Sequence, residues 1–122
     1  MLLDDAASIR AALATMNPAA RSATQDLSGK ILRCPELLQD PEELQRQTIL
    51  SLACAFTRAG YDLEDDRQRF TRFLEDHASN VLDLAVSIIY CVAKDQQRRE
   101  RWGKVGKVAA LVGAVALGAF FG

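Results

Sequence analysis

The chain has 122 residues, 49% of them apolar and 25% charged, and its 15 Lys and Arg against 16 Asp and Glu leave a net charge of −1. That length holds one domain with a modest core and no second one. The cations gather beside an apolar segment rather than over a broad basic face with stacking aromatics, which argues against a nucleic-acid partner, and the sequence opens on no charged leader with a cleavage site, so secretion is not expected.

Apolar residues recur at helical spacing almost throughout, with no alternating strand pattern and no hairpin signal, so the fold class is all-α. Asp4 and Asp5 are placed to cap a first helix that ends at Met16. Asn17-Pro18 then opens the next, Asn as cap and Pro at the first helical position. This second helix runs to about Arg33 with an interruption at Gly29. Cys34-Pro35 and Asp40-Pro41 bracket a linker. Asp40, Pro41, Glu42 and Glu43 start a helix from Pro41 to Ala59, with Gly60 as its stop. Leu63 to His77 is predicted as a charged amphipathic helix with Phe70, Phe73 and Leu74 on one face, Asn80 to Gln97 as a largely apolar one, and a last segment starts near Arg101. Six helical segments without strands predict a small helical bundle.

Charge divides the chain. Residues 98 to 122 hold five cations and one anion, and the fifteen residues from Val108 to Gly122 carry no charge. Residues 1-104 therefore form an acidic helical domain with a basic C-terminal edge, and residues 105-122 an apolar C-terminal helix. Cations ahead of an apolar run, with Trp102 at the border, are the pattern of a segment whose charges stay on the cytosolic side of a membrane. Lys104 and Lys107 would meet headgroups while Leu111, Gly113, Leu117, Gly118, Phe120 and Phe121 enter the apolar layer. At about 1.5 Å per residue the uncharged part reaches roughly 22 Å, short of the ~30 Å hydrocarbon core. The segment is thus either a membrane tail or the central core helix. Ala109 with Gly113, Ala114 with Gly118 and Gly118 with Gly122 set small residues four apart, a spacing that lets helices pack closely in lipid and would serve a homo-oligomer.

Cys34, Cys54 and Cys91 are odd in number and widely spaced, and read as reduced core residues; His77, the only histidine, reads as a surface residue near a helix end. No zinc spacing, redox pair or Cys/His nucleophile emerges. There is no phosphate loop and no nucleophile elbow, and Asp65, Asp66, Glu75 and Asp76 sit among arginines as solvated helix charges. Neither catalysis, a metal nor a cofactor is expected.

Ile49, Leu52, Phe56 and Leu63 lie at intervals of 3, 4 and 7, forming one apolar stripe if the helix continues through Gly60. Such a stripe either packs inward or docks in a partner's groove, and a glycine within it would let a groove wall or neighbouring helix come close. The stretch from Leu52 to Glu64, LACAFTRAGYDLE, resembles the third homology motif of the Bcl-2 apoptosis-regulator family, which runs leucine, three residues, apolar, three residues, Gly-Asp, apolar. Leu52, Phe56, Gly60 and Leu63 match in register. Tyr61 departs from the pattern, standing where the family usually has its aspartate, with Asp62 one place later; this weakens the charge pairing expected with an arginine in a partner groove. Pro35 to Pro41, PELLQDP, resembles the linker before this helix in Bax, and Arg101-Trp102-Gly103-Lys104-Val105 resembles the core of the first homology motif. Gly60 and Trp102 are 42 residues apart, close to the family's separation.

The resemblance covers roughly residues 35 to 122. It implies a helical regulator of apoptosis that binds a Bcl-2-like protein or an amphipathic helix through Leu52, Phe56, Gly60, Asp62 and Leu63. It further implies association with the outer mitochondrial or endoplasmic reticulum membrane from the cytosolic side, and the local likeness to Bax and Bok leans toward promoting death. No second homology motif follows and residues 1 to 34 hold no fourth one, so the chain is not expected to build the family's closed groove alone. The reading from another class is a small tail-anchored or membrane-permeabilising helical protein unrelated to apoptosis.

Overall fold

The computed structural model describes residue 3, residues 5–102 and residues 120–121. Those residues form four α-helices, α1 (Ala6–Thr15), α2 (Pro18–Arg33), α3 (Pro41–Arg58) and α4 (Arg67–Trp102), with a 3-10 helix at Pro35–Gln39 and no strand among them. The fold is a small all-helical bundle.

Local chemistry starts each of the first three helices. Asp5 caps α1 by accepting from the Ser8 amide at 2.7 Å; Asn17 caps α2 through the Ala19 amide at 2.9 Å; Asp40 caps α3 through the Glu43 amide at 3.2 Å. Each bond satisfies an amide that the first helical turn leaves without a partner. Pro18 and Pro41 stand at the first helical positions, where the missing N–H costs nothing.

Two clusters share the length of α4. In one, Ala20, Ala23, Leu27 and Ile31 of α2 meet Leu52 and Ala55 of α3 and Val81, Ala85 and Ile89 of α4, with Leu37 of the 3-10 helix closing the edge. In the other, Ile9 and Leu13 of α1 meet Leu84, Ile88 and Val92 of α4, and Phe120 packs among them. Fully buried side chains such as Leu27, Leu52 and Ile88 each contribute about 1.5–3 kcal/mol of transfer free energy.

Several expectations are corrected. The predicted helices at Leu63–His77 and Asn80–Gln97, and the new start near Arg101, are one unbroken helix, α4. Its buried positions Val81, Leu84, Ala85, Ile88, Ile89 and Val92 continue the 3/4 spacing of Phe73, Leu74 and Ala78, and no Gly or Pro stands between Arg67 and Trp102 to stop it. The helix begins at Arg67 rather than Leu63. α2 passes through Gly29 without interruption, because its apolar face carries across that position. The expected linker folds as the 3-10 helix. Cys34 and Cys54 are exposed and only Cys91 is half-buried, since Cys34 caps the end of α2 and Cys54 lies on the outer side of α3. His77 is half-buried within α4, its ring 5.0 Å from that of Phe73.

Candidate docking interface

The segment from Thr48 to Arg72 joins the end of α3 to the start of α4. Helix α3 closes with a left-handed turn at Gly60, whose φ is 100°. The Gly60 amide donates to the Thr57 carbonyl at 3.0 Å and the Tyr61 amide to the Phe56 carbonyl at 3.4 Å. That pair of bonds is the Schellman arrangement, and the apolar contact that accompanies it is the Tyr61 ring stacked on Phe56 at 4.8 Å. A side chain at Gly60 would meet nothing within 4 Å, so within this chain the glycine answers to backbone conformation rather than to a closely approaching neighbour. The expected stripe is therefore broken: the helix does not continue through Gly60, and Leu63 leaves the register of Leu52 and Phe56.

A second turn follows at once. Asp62 accepts from the Glu64 amide at 2.8 Å and the Asp65 amide at 3.0 Å, while its own amide donates to the Asp66 carboxylate at 3.0 Å. The Asp65 and Glu64 amides hold the Asp62 carboxyl below the ordinary value for an aspartate. Around this joint Phe56 gathers Phe70 at 5.2 Å and Phe73 at 5.6 Å, and the Arg69 guanidinium lies 5.5 Å from the centre of the Tyr61 ring. Aromatic pairs of this kind add about 0.5–1.5 kcal/mol each beyond area burial.

The two faces of α3 differ. Inward stand Thr48, Ser51, Leu52, Ala55 and Phe56, small residues interspersed with the larger Leu52 and Phe56. Outward stand Ile49 and Leu50, 39% and 42% exposed, with Tyr61 at 40% and Leu63 at 38% in the turn beyond. These four make up all but one of the exposed large hydrophobic side chains among the described residues, the fifth being Tyr90 on α4. Of the residues singled out from sequence, Leu52 and Phe56 face the core, while Gly60, Asp62 and Leu63 are exposed in the joint. The structure adds Leu50 and Tyr61. The signal for Leu50 was present: Thr48, Ser51 and Ala55 are small residues at 3/4 spacing, which marks the closely packed side and leaves 49, 50, 53 and 54 outside.

At the other end of the molecule, Phe120 is 8% exposed within the second cluster, and Arg21 Nη2 donates to the Phe121 carbonyl at 3.3 Å. The end of the expected membrane segment is thus packed against the bundle. Trp102 ends α4, and Lys104, Lys107, Leu111, Gly113, Leu117 and Gly118 lie outside the described residues. Among the described residues no helix is long and apolar enough to cross a membrane, and no group of side chains could hold a metal ion. Comparison with protein-family models, with curated proteins and with solved structures finds no match.

Proposed function

We propose that this chain is a Bcl-2-like regulator of apoptosis that acts by helix-in-groove binding through α3 and its C-terminal turn, and that it associates with membranes. The observation that carries the reading is the exposure of Ile49, Leu50, Tyr61 and Leu63 along α3 and the turn that follows it, four of the five exposed large hydrophobic side chains among the described residues. Apolar side chains left together in water mark a surface that another molecule covers. The exposed residues lie in and beside the stretch whose Leu52, Phe56, Gly60 and Leu63 resemble the third homology motif, and Leu63 belongs to both sets.

The chemistry divides into two layers. Ile49, Leu50, Tyr61 and Leu63 meet a partner's apolar groove without any change in the bundle, and exposed Asp62 offers its carboxylate to a cation at the rim. Leu52 and Phe56 reach the groove only when α3 turns away from α2 and α4. The membrane part of the reading rests on residues 105–122, whose sequence pairs a basic stretch with an uncharged one.

Titration calorimetry of the full chain against a groove-bearing Bcl-2-family protein tests the docking role, with Leu50→Glu and Leu63→Glu as variants at exposed positions. The wild-type chain should bind, and each variant should weaken binding by about tenfold or more, near 1.4 kcal/mol, with its helical circular dichroism unchanged. Binding that is undisturbed by both charges would remove this surface from the mechanism.

A further inference from the structure

The end of α1 and the start of α2 meet in an elbow at Met16-Asn17, and an open cavity of about 350 Å³ lies against it. Leu13, Met16 and Phe121 give the cavity apolar walls, while Arg21, Ser22 and Gln25 line it from α2. Their spacing explains the grouping: positions 18, 21, 22 and 25 share one face of α2, turned away from the buried Ala20, Thr24 and Leu27. No carboxylate stands among the lining residues.

Arg21 is the unusual member of the set. Among the described residues it enters no ion pair, and of its guanidinium nitrogens only Nη2 has an acceptor, the Phe121 carbonyl at 3.3 Å. Its Nε is sealed from water and has no hydrogen-bond partner. An N–H withheld from both water and an acceptor costs free energy, the more so in a charged group. The Phe121 carbonyl and ring, the ring centre 6.0 Å from Arg21 Cζ, hold the guanidinium in place. The first amides of α2 add no anion site of their own, since Asn17 takes those of Ala19 and Ala20 at 2.9 and 3.4 Å. The cavity thus presents one fixed positive charge beside an apolar wall.

We propose that this cavity binds a small amphiphilic carboxylate of the medium-chain fatty acid class, its carboxylate against Arg21 and its alkyl chain along Leu13, Met16 and Phe121. Charge and lining together select that class. The single lining cation matches one negative charge, in the charge-assisted pair that guanidinium and carboxylate form, whereas a phosphate monoester brings more charge than the site offsets. Apolar walls with a few polar groups at one place are the build of small-molecule sites, and the volume falls in their range. The site shares no residue with the docking surface of α3 and stands independently of it.

Amide NMR titration of the full chain with decanoate, kept below its micelle threshold, tests the proposal. Decanoate should shift the amides of residues 13–16, 19–25 and Phe121 saturably and leave those of α3 in place. Decanol has the same chain without the charge, and acetate the charge without the chain; each should bind more weakly by about tenfold or more. Arg21→Gln should weaken decanoate by a similar factor and leave decanol unchanged. Ala14→Phe gives a second check that spares the Phe121 contact: Ala14 is exposed on α1 and lines the cavity, so a ring there fills the space without entering the core. It should abolish decanoate binding while the melting temperature holds. The absence of saturable shifts, equal affinity for decanoate and decanol, or binding that survives both substitutions would overturn the site.

Discussion

Gly60 and Gly29 show how the same residue type serves opposite ends. At Gly60 the backbone is left-handed, and an L side chain there is strained whatever space surrounds it. Gly60→Ala should cost about 1–2 kcal/mol. Gly29 lies inside α2 in ordinary helical conformation, and an added Cβ would meet only the flexible end of Arg33 at 3.9 Å. Gly29→Ala should therefore stabilise the chain by about 0.5–1 kcal/mol. Thermal unfolding of the two variants checks both signs, and equal effects would mean that the turn after α3 does not depend on the left-handed residue.

The joint between α2 and α3 also carries a pH dependence. Burial pushes the Asp26 carboxyl up, but the Ser51 hydroxyl and then Lys30 outweigh it and hold the group below its ordinary value. A carboxylate whose folded value is depressed stabilises the fold above its unfolded value, about 3.9, and the contribution is lost as pH falls through the folded value. Unfolding followed from pH 7 down through the acid range should therefore show stability falling below about pH 4, with a shallower fall in Asp26→Asn than in the wild type. A slope that the substitution leaves untouched would place the acid sensitivity elsewhere. At this scale the sequence was legible where capping residues act locally: Asp5, Asn17-Pro18 and Asp40-Pro41 start the helices they were expected to start. It was less legible where tertiary packing overrides a weak signal. The expected gap between a helix ending at His77 and one starting at Asn80 does not form, because Ala78 and Val81 carry the apolar face of α4 across it. The expected stripe failed for a different reason, since Gly60 can be read both as a stop and as a member of the stripe, and the Schellman bonds decide for the stop.

For the molecule as a whole, the two candidate roles of the C-terminal segment meet at Phe120. Its burial against Ile9, Leu13, Leu84, Ile88 and Val92 makes it part of the bundle. Phe120→Ala should then lower stability by about 3 kcal/mol in the absence of lipid, as the loss of a buried aromatic does. Unchanged lipid-free melting combined with weaker flotation on liposomes would assign the residue to the membrane instead. Docking draws on α3 with its turn and the membrane reading on residues 105–122, so the proposed activity is divided between two separate stretches of the chain.

Thiol reactivity offers the most direct measurement of the docking surface. Cys54 is exposed on α3, and Cys34 is exposed at the end of α2, where its thiol hydrogen-bonds to Glu36 Oε2 at 3.2 Å. Alkylation of each cysteine is followed in the full chain with and without a saturating groove-bearing Bcl-2-family protein, every residue being compared with its own rate. Docking through α3 predicts that Cys54 is protected while Cys34 keeps its rate; a Cys54 that reacts as fast in the complex as in the free chain would contradict it.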